Sequence, residues 1–230
     1  IPQSLCVVLH TDHGVMVRTG DFKLDSHPID GRITDLKRLE ELQEDPGVRV
    51  LMADSTNADK PGWSASESTM RETFERRFPE WTGGRLVVSC FASHLHRVQQ
   101  ICDVAIKEGR TIFPLGRSMV NNIRIAQELG VLDLPHRCVD SIEHLHMYEP
   151  GAICVICTGS QGEPNAALSL IAKSAHPDLS LGAGDVVMLS SHPIPGNEIP
   201  VYRMIDQITR LGCEVVHDGQ EHVHTSGHAQ

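Results

Sequence analysis

The sequence has few aromatic residues and no long apolar run. Aromatic side chains make up 4% of the 230 residues, so a core must be built mainly from Leu, Ile, Val and Ala. No apolar stretch approaches the roughly 18 to 20 residues that a membrane span needs, and no signal-like apolar segment opens the chain. We therefore expect a soluble protein without a membrane segment. The chain begins at Ile1 and not at Met, which is typical of a cut end.

The sequence contains fewer basic than acidic residues. The chain has 20 Lys and Arg residues against 30 Asp and Glu residues, which gives a formal net charge of −10. A surface of this sign repels phosphate, which excludes sequence-blind binding of nucleic acid through a basic face. Any contact with nucleic acid must then be local and directed to a specific site.

A disulfide framework is also absent, since the seven cysteines are odd in number and irregularly spaced. Cys90, Cys154, Cys157 and Cys213 lie in apolar runs typical of strands, so we predict buried, reduced thiols in a cytoplasmic protein. Cys154 and Cys157 have CxxC spacing, but successive side chains of a strand point to opposite faces. We therefore predict two core cysteines on opposite faces of a sheet.

The hydrophobic pattern predicts an α/β protein. Residues 4–22 alternate as two strands around Asp12, His13 and Gly14, which predicts a hairpin. A helix over residues 33–45, a short buried strand over 48–56 and a helix that ends before Pro79 follow. From residue 85 onward strands and helices alternate, which predicts βαβ units and a mostly parallel sheet flanked by helices. The turn-rich stretch NADKPGWSAS indicates a junction between two units.

Seven of the predicted strands end in polar residues. They end in TGDFKLD, ADSTNAD, SCFASHLHR, PLGRSM, CTGSQGEPN, SSHPIPGNE and HVHTSGH. In open α/β sheets, ligands bind at the carboxyl ends of the strands. These segments together therefore indicate one ligand-binding cleft.

One of these strand ends has the pattern of an anion site. An apolar strand runs into Gly159, Ser160, Gln161 and Gly162, and Pro164 stands where the first turn of a helix is expected. That geometry exposes backbone N–H groups to an anion. An ordinary strand-to-helix turn explains the same residues, so both interpretations stay open.

Two acids stand at strand ends where a metal is often bound. Asp21 and Asp54 are placed as paired acids that suit a divalent cation, although a capping or turn role fits each of them too. For His10 and His13 we prefer the hairpin turn to a metal site. Val8 stands where a second histidine on the strand would be required.

Three histidines crowd into the segment HVHTSGH. His222 and His224 are two residues apart and share one face of a strand, as in zinc-binding HxH pairs, and His228 follows a Ser-Gly turn. A metal site, a phosphate pocket and a solvated loop all fit these residues.

Seven segments, in this order, resemble ribonuclease J, a family in the β-CASP group of the metallo-β-lactamase-fold nucleases. They span residues 19–229 and read TGDFKLD, ADSTNA, CFASHLHRVQQ, PLGRSM, TGSQGEPNAALS, SSHPIPGNE and HTSGHA. The resemblance implies an α/β chain that contains part of a metallo-β-lactamase fold (αββα) and a β-CASP domain. Residues 1–60 are then the end of the first metallo-β-lactamase segment, 61–220 the β-CASP domain, and 221–230 the return into the metallo-β-lactamase domain.

The resemblance also implies an activity. It implies a cytoplasmic nuclease that cuts RNA with two zinc ions, as a 5′ to 3′ exonuclease and as an endonuclease, in RNA processing and decay. The substrate is RNA with a 5′-monophosphate end, and the assembly is a homodimer or tetramer. Two alternatives are a non-catalytic RNA-binding module and a small-molecule metallo-hydrolase of the same fold.

The matched motifs imply roles for the polar strand ends. Asp21 matches a carboxylate that bridges the two zinc ions, Asp54 matches an acid that supports a catalytic histidine, and His228 matches that histidine. The residues implied to bind phosphate or RNA are Ser93, Gly159, Ser160, Gln161, Gly162, Glu163, His224, Ser226 and Gly227.

Two departures limit the resemblance. The HxHxDH zinc motif of the family is absent from the 230 residues, and His94 stands where the family usually has Asn. We therefore expect the chain to be the middle of a longer protein. By itself it should not hold two zinc ions, because one matched ligand is too few, and we therefore expect it to be inactive alone.

Overall fold

The computed structural model describes residues 4–44 and 47–230. The chain separates into two compact units, Ile1–Thr69 with Thr225–Gln230, and Met70–His224. We call them the first unit and the second unit. The sequence placed the corresponding boundaries near residues 60 and 220.

The first unit is built on a three-stranded sheet. β1 (Val7–Thr11) and β2 (Gly14–Arg18) form the predicted antiparallel hairpin, and β3 (Val48–Met52) pairs in parallel with β2. Gly14 closes the turn with a φ of 119°, a backbone conformation that favours glycine. His10 and His13 are exposed in this hairpin.

Two local predictions for the first unit are wrong. α1 (Leu36–Glu41) is shorter than predicted, because the Asp35 carboxylate accepts a hydrogen bond from Arg38 N at 3.0 Å and caps the helix start. The predicted helix end at Asp45 lies outside the described residues. β3 is exposed at all five positions, not buried, because it is an edge strand and the small core of the unit gathers around Val15, Val17 and Leu42.

The second unit is a parallel sheet of five strands in the order β5-β6-β4-β7-β8. The strands are β4 (Leu86–Ser89), β5 (Thr111–Leu115), β6 (Ile153–Cys157), β7 (Val186–Leu189) and β8 (Glu214–His217). The helices are α2 (Thr69–Arg77), α3 (Leu95–Lys107), α4 (Arg117–Glu128), α5 (Ala167–Ala172) and α6 (Glu198–Arg210). This confirms the predicted α/β class with a mostly parallel sheet flanked by helices.

Separate apolar cores cover the two faces of this sheet. Side chains of α2, α3 and α4 pack on one face, and side chains of α5 and α6 pack on the other. Cys154 belongs to the first core and Cys157 to the second, so the predicted opposite orientation is confirmed. Burial raises the pKa of each thiol to about 12, which keeps both protonated and unreactive near neutral pH.

The loop after β6 differs from its prediction. α5 begins at Ala167, so the prediction that Pro164 opens the helix is wrong. Gly159 and Gly162 have positive φ values, and Ala166 N donates to Glu163 O at 3.1 Å, so a turn occupies this stretch before the helix can start.

No helix among residues 4–44 and 47–230 is both long enough and apolar enough to cross a membrane.

Candidate active site

Asp54 lies just after β3 and is held by the residues around it. Its backbone N–H donates to Thr19 Oγ1 at 3.0 Å, and its Oδ1 accepts from Thr56 N at 3.0 Å and Thr56 Oγ1 at 2.7 Å. Burial opposes the charged form of this carboxyl, but the hydrogen bonds from Thr56 and His228 together outweigh it and hold the pKa of Asp54 well below its usual value. Asp54 is therefore an ionised carboxylate that hydrogen bonds hold in one position.

His228 pairs with this carboxylate inside the first unit. Its Nδ1 lies 2.7 Å from Asp54 Oδ2. Since Asp54 is ionised, Nδ1 carries the hydrogen and donates, which leaves Nε2 for a substrate. The His228 side chain is 31% exposed and that of Asp54 only 4%, so the imidazole is the accessible member of the pair.

Asp21 completes the cluster. Ligand atoms of Asp21, Asp54 and His228 all lie within 4.8 Å of one another, and in the described part of the chain no other group of three such residues is arranged to hold a metal ion. Asp54 and His228 are already bonded to each other, whereas Asp21 is exposed. The matched motifs implied a metal-bridging role for Asp21 and a catalytic pair of Asp54 with His228, and the fold places the three residues close together.

Three residues that sequence reasoning did not single out hold the segment from Thr225 to His228. Lys23 Nζ donates to Ser226 O at 2.9 Å, Asn57 Nδ2 donates to Ser226 Oγ at 2.9 Å, and Ser64 Oγ donates to His228 O at 2.6 Å. Lys23 and Asn57 stand in the segments TGDFKLD and ADSTNAD. Both residues therefore lie within matched motifs. Sequence reasoning considered only the acids and histidines of these motifs, so it missed the ammonium donor of Lys23 and the amide donor of Asn57.

Ser226 and Gly227 belong to this same held segment. Ser226 Oγ accepts from Asn57 Nδ2 and also from His228 N at 3.0 Å, and Gly227 is half-buried. The Ser226 hydroxyl therefore orients the His228 backbone, and its own hydrogen remains available as a donor to an anion.

In the second unit, the Gly159–Glu163 loop is packed and its amides are partly used. Gln161 N donates to Glu163 Oε2 at 3.2 Å, and Gly162 N donates to Gly159 O at 3.1 Å. The interpretation of this loop as open N–H groups is therefore wrong for these two residues, because groups of the loop itself accept their hydrogens. Ser160 is buried, and Glu163 is exposed.

Gln161 joins this loop to the segment after β7. Its Nε2 donates to His192 O at 3.0 Å, and its Oε1 accepts from Ile194 N at 2.8 Å. The side chain is nearly fully buried. With both ends of its amide bonded in this way, Gln161 is a positioning residue for the two loops.

His224 lies in the second unit beside a buried arginine. Arg97 Nη1 donates to Ser190 Oγ at 2.6 Å and to Val223 O at 3.3 Å, and Ser190 Oγ donates to Val223 O at 2.7 Å. Arg97 is fully buried. These bonds fix the backbone directly before His224. Arg97 lies within the segment CFASHLHRVQQ, and its burial is a property of the fold that the sequence does not show.

The charge state of His224 follows from this environment. Burial first, and then the positive charge of Arg97 together with His94 and His192, lowers the pKa of His224 to about 3. The imidazole is therefore neutral at neutral pH and carries one N–H donor. Ser93, another predicted RNA contact, is exposed in the turn before α3.

We expect the low pKa of His224 to appear as a loss of stability in acid. The unfolded chain takes up a proton below about pH 6.5, whereas the folded chain does not until about pH 3, so the free energy of unfolding falls as the pH drops through this window. Urea unfolding of the wild type and of His224→Gln at pH 7 and pH 5 should show an extra loss of about 1 to 2 kcal/mol in the wild type.

The matched control is His136→Gln, which replaces an exposed histidine of the second unit and should keep the wild-type loss. Equal losses in the wild type and in His224→Gln would show that His224 titrates normally.

A profile of the family described as "Ribonuclease J, beta-CASP domain" matches residues 83–208, more than half of the chain. The chain belongs to the ribonuclease J family. The matched range runs from the residues before β4 into α6, so the β-CASP part lies within the second unit.

Relatives named Ribonuclease J match over the whole chain. It is 45% identical over 229 residues to the protein of Mycolicibacterium smegmatis, 40% over 232 residues to that of Thermus thermophilus and 39% over 229 residues to that of Synechocystis. Each match covers 100% of this chain, but only 41%, 39% and 36% of the respective relative. The chain thus spans about 40% of the length of its ribonuclease J relatives.

Proposed function

We propose that this chain supplies part of the catalytic site of a ribonuclease that hydrolyses phosphodiester bonds in RNA. The observation that carries the proposal is the Asp54–His228 pair at 2.7 Å, with Asp21 in the same cluster of 4.8 Å. A buried carboxylate that orients an accessible imidazole is the arrangement expected of general acid–base chemistry. The relatives named Ribonuclease J support RNA as the substrate.

The roles of the pair follow from its hydrogen bonding. Asp54 holds the Nδ1–H of His228, so Nε2 is the atom presented to the reacting phosphate. In its protonated form His228 donates the Nε2 proton to the oxygen that leaves phosphorus, and it recovers that proton from water afterwards. Thr56 and Thr19 keep the carboxylate in place while this happens.

Asp21 is the residue that we propose as a zinc ligand. Its exposed carboxylate fits a metal, since oxygen ligands bind zinc readily. Asp54 Oδ2 and His228 Nδ1 are hydrogen-bonded to each other, so these two atoms fit a metal less well. When bound, a pair of zinc ions supplies a hydroxide nucleophile near neutral pH and stabilises the charge that develops on phosphorus oxygens.

We propose RNA contacts in each unit separately. In the second unit these are Ser93, His224 and the loop positions Gly159, Ser160 and Glu163, with Gln161 and Gly162 in a positioning role. In the first unit they are Ser226 and Gly227. The family resemblance adds three further expectations: attack from a 5′-monophosphate end together with internal cleavage, action in the cytoplasm, and assembly as a dimer or tetramer.

The test is a cleavage assay with a protein of its relatives' length that contains this chain, on a uniformly labelled single-stranded RNA that carries either a 5′-monophosphate or a 5′-hydroxyl. A circular RNA of the same sequence isolates endonuclease activity. We expect faster release of mononucleotides from the monophosphate substrate, loss of activity with a chelator, and recovery with zinc. Binding without cleavage in the presence of zinc would contradict the proposal and favour a non-catalytic RNA-binding module.

A further inference from the structure

Trp63 is the most exposed large apolar side chain of the described residues, with 83% of its surface accessible. The other tryptophan, Trp81, is 7% exposed and packs in the core of the second unit. The chain has few aromatic residues, and an indole left in water costs the free energy that its burial would contribute. An exposed tryptophan in such a sequence therefore calls for an explanation beyond packing.

The loop that carries Trp63 is fixed to the candidate site. Ser64, its neighbour, donates through Oγ to His228 O at 2.6 Å, and Ala65 O accepts from Thr225 Oγ1 at 2.7 Å and from Lys23 Nζ. All of these residues belong to the first unit. Trp63 is thus exposed on an anchored loop, one residue away from a direct contact with His228.

The charge around this site limits what can hold an RNA strand there. Asp21, Asp54 and Asp59 lie in the same unit, and the whole chain has a net charge of −10. Phosphate is repelled by such charge, so part of the affinity must come from another group of the RNA. Each nucleobase has a π-face that stacks on an aromatic ring without regard to sequence and without charge.

We propose that Trp63 is a stacking site for a nucleobase of the single-stranded RNA that is cleaved at the Asp54–His228 pair. The proposal rests on the proposed function. The ligand class is an unpaired base, of RNA or of another single-stranded nucleic acid, and the indole recognises its ring and not its hydrogen-bonding edge.

The test measures the affinity of the purified protein for a 5′-monophosphorylated single-stranded oligoribonucleotide by fluorescence anisotropy, in a buffer without zinc. The variants are Trp63→Ala, Trp63→Phe and the matched control Leu129→Ala, which removes another exposed apolar side chain, 71% accessible, in the second unit. We expect Trp63→Ala to weaken binding about fivefold to a hundredfold, Trp63→Phe to restore most of the loss, and Leu129→Ala to bind as the wild type does.

A second measurement identifies the base as the ligand. The same oligonucleotide is made with a single abasic nucleotide at each position in turn. One abasic position should weaken binding to the wild type, and it should not weaken binding to Trp63→Ala any further. Oligonucleotides with 5-iodouracil at that position should crosslink to the peptide that contains Trp63.

The outcomes separate the two proposals. Wild-type affinity in Trp63→Ala, or an abasic effect of equal size in both proteins, overturns the stacking site even if His228→Ala still abolishes cleavage. Absence of RNA binding by the wild type, together with absence of cleavage by a protein of its relatives' length that contains this chain, overturns the stacking site and the proposed function together. Circular dichroism spectra that match the wild type show that Trp63→Ala is folded, as expected for a side chain with so little packing.

Discussion

Replacement of His228 by alanine, in a protein of its relatives' length that contains this chain, is expected to lower the turnover rate of RNA cleavage by about 10²- to 10⁴-fold and to change the affinity for RNA much less. The imidazole Nε2 is the proposed proton donor to the leaving oxygen, and a methyl group cannot replace it. The backbone bonds from His228 N to Ser226 Oγ and from Ser64 Oγ to His228 O survive the substitution. The segment should therefore keep its position, which makes the loss chemical and not structural.

Four further variants sharpen this result. Asp54→Asn should also lower turnover, and the double variant should be little worse than either single variant, because the two residues act as one unit. His224→Ala should mainly raise KM, since its proposed role is to bind phosphate. His27→Ala removes an exposed histidine of the first unit and should behave as the wild type does. If His228→Ala cleaves at the wild-type rate with its metal content unchanged, His228 is not the general acid.

The elements that local periodicity decides could be predicted from the sequence. Strand and helix alternation after residue 85, the hairpin around Gly14 and the opposite orientation of Cys154 and Cys157 all depend on spacing within a few residues. The exposure of β3 could not be predicted in this way. An apolar strand is buried only if another part of the fold packs against it. The hydrophobic pattern of the strand itself does not show whether such packing exists.

For the candidate site too, some features could be predicted from the sequence and others could not. Asp54 and His228 are 174 residues apart, so only their motif resemblance, and no local pattern, suggested that they meet. The residues that hold them were missed for a physical reason. Asn57 and Ser64 act through ordinary amide and hydroxyl donors, whose partners become known only in three dimensions. Likewise, the helix expected at Pro164 gives way to a turn whose amides bond within the loop.

Replacement of Asp21 by alanine is the second change with a large expected effect. If its carboxylate is a zinc ligand, its loss should lower the affinity for zinc by at least about a hundredfold, since changes to groups that only support a metal ligand already cost 10- to 100-fold. Turnover should fall with it, because the hydroxide nucleophile depends on the metal. Both are measured in a protein of its relatives' length that contains this chain: zinc affinity by competition with a chromophoric chelator, and turnover in the same buffer.

The control for this experiment is Asp59→Ala, which removes an exposed acid of the first unit and should change neither zinc affinity nor turnover. Elemental analysis of the 230-residue chain by itself should find fewer than two zinc ions, because Asp21 offers one ligand group and zinc normally takes three or four from the protein. Two zinc ions per chain, retained in Asp21→Ala, would contradict both expectations. In that case the exposed His10 and His13 of the hairpin become the next ligands to replace, since the prediction that they only form a turn would then have to be abandoned.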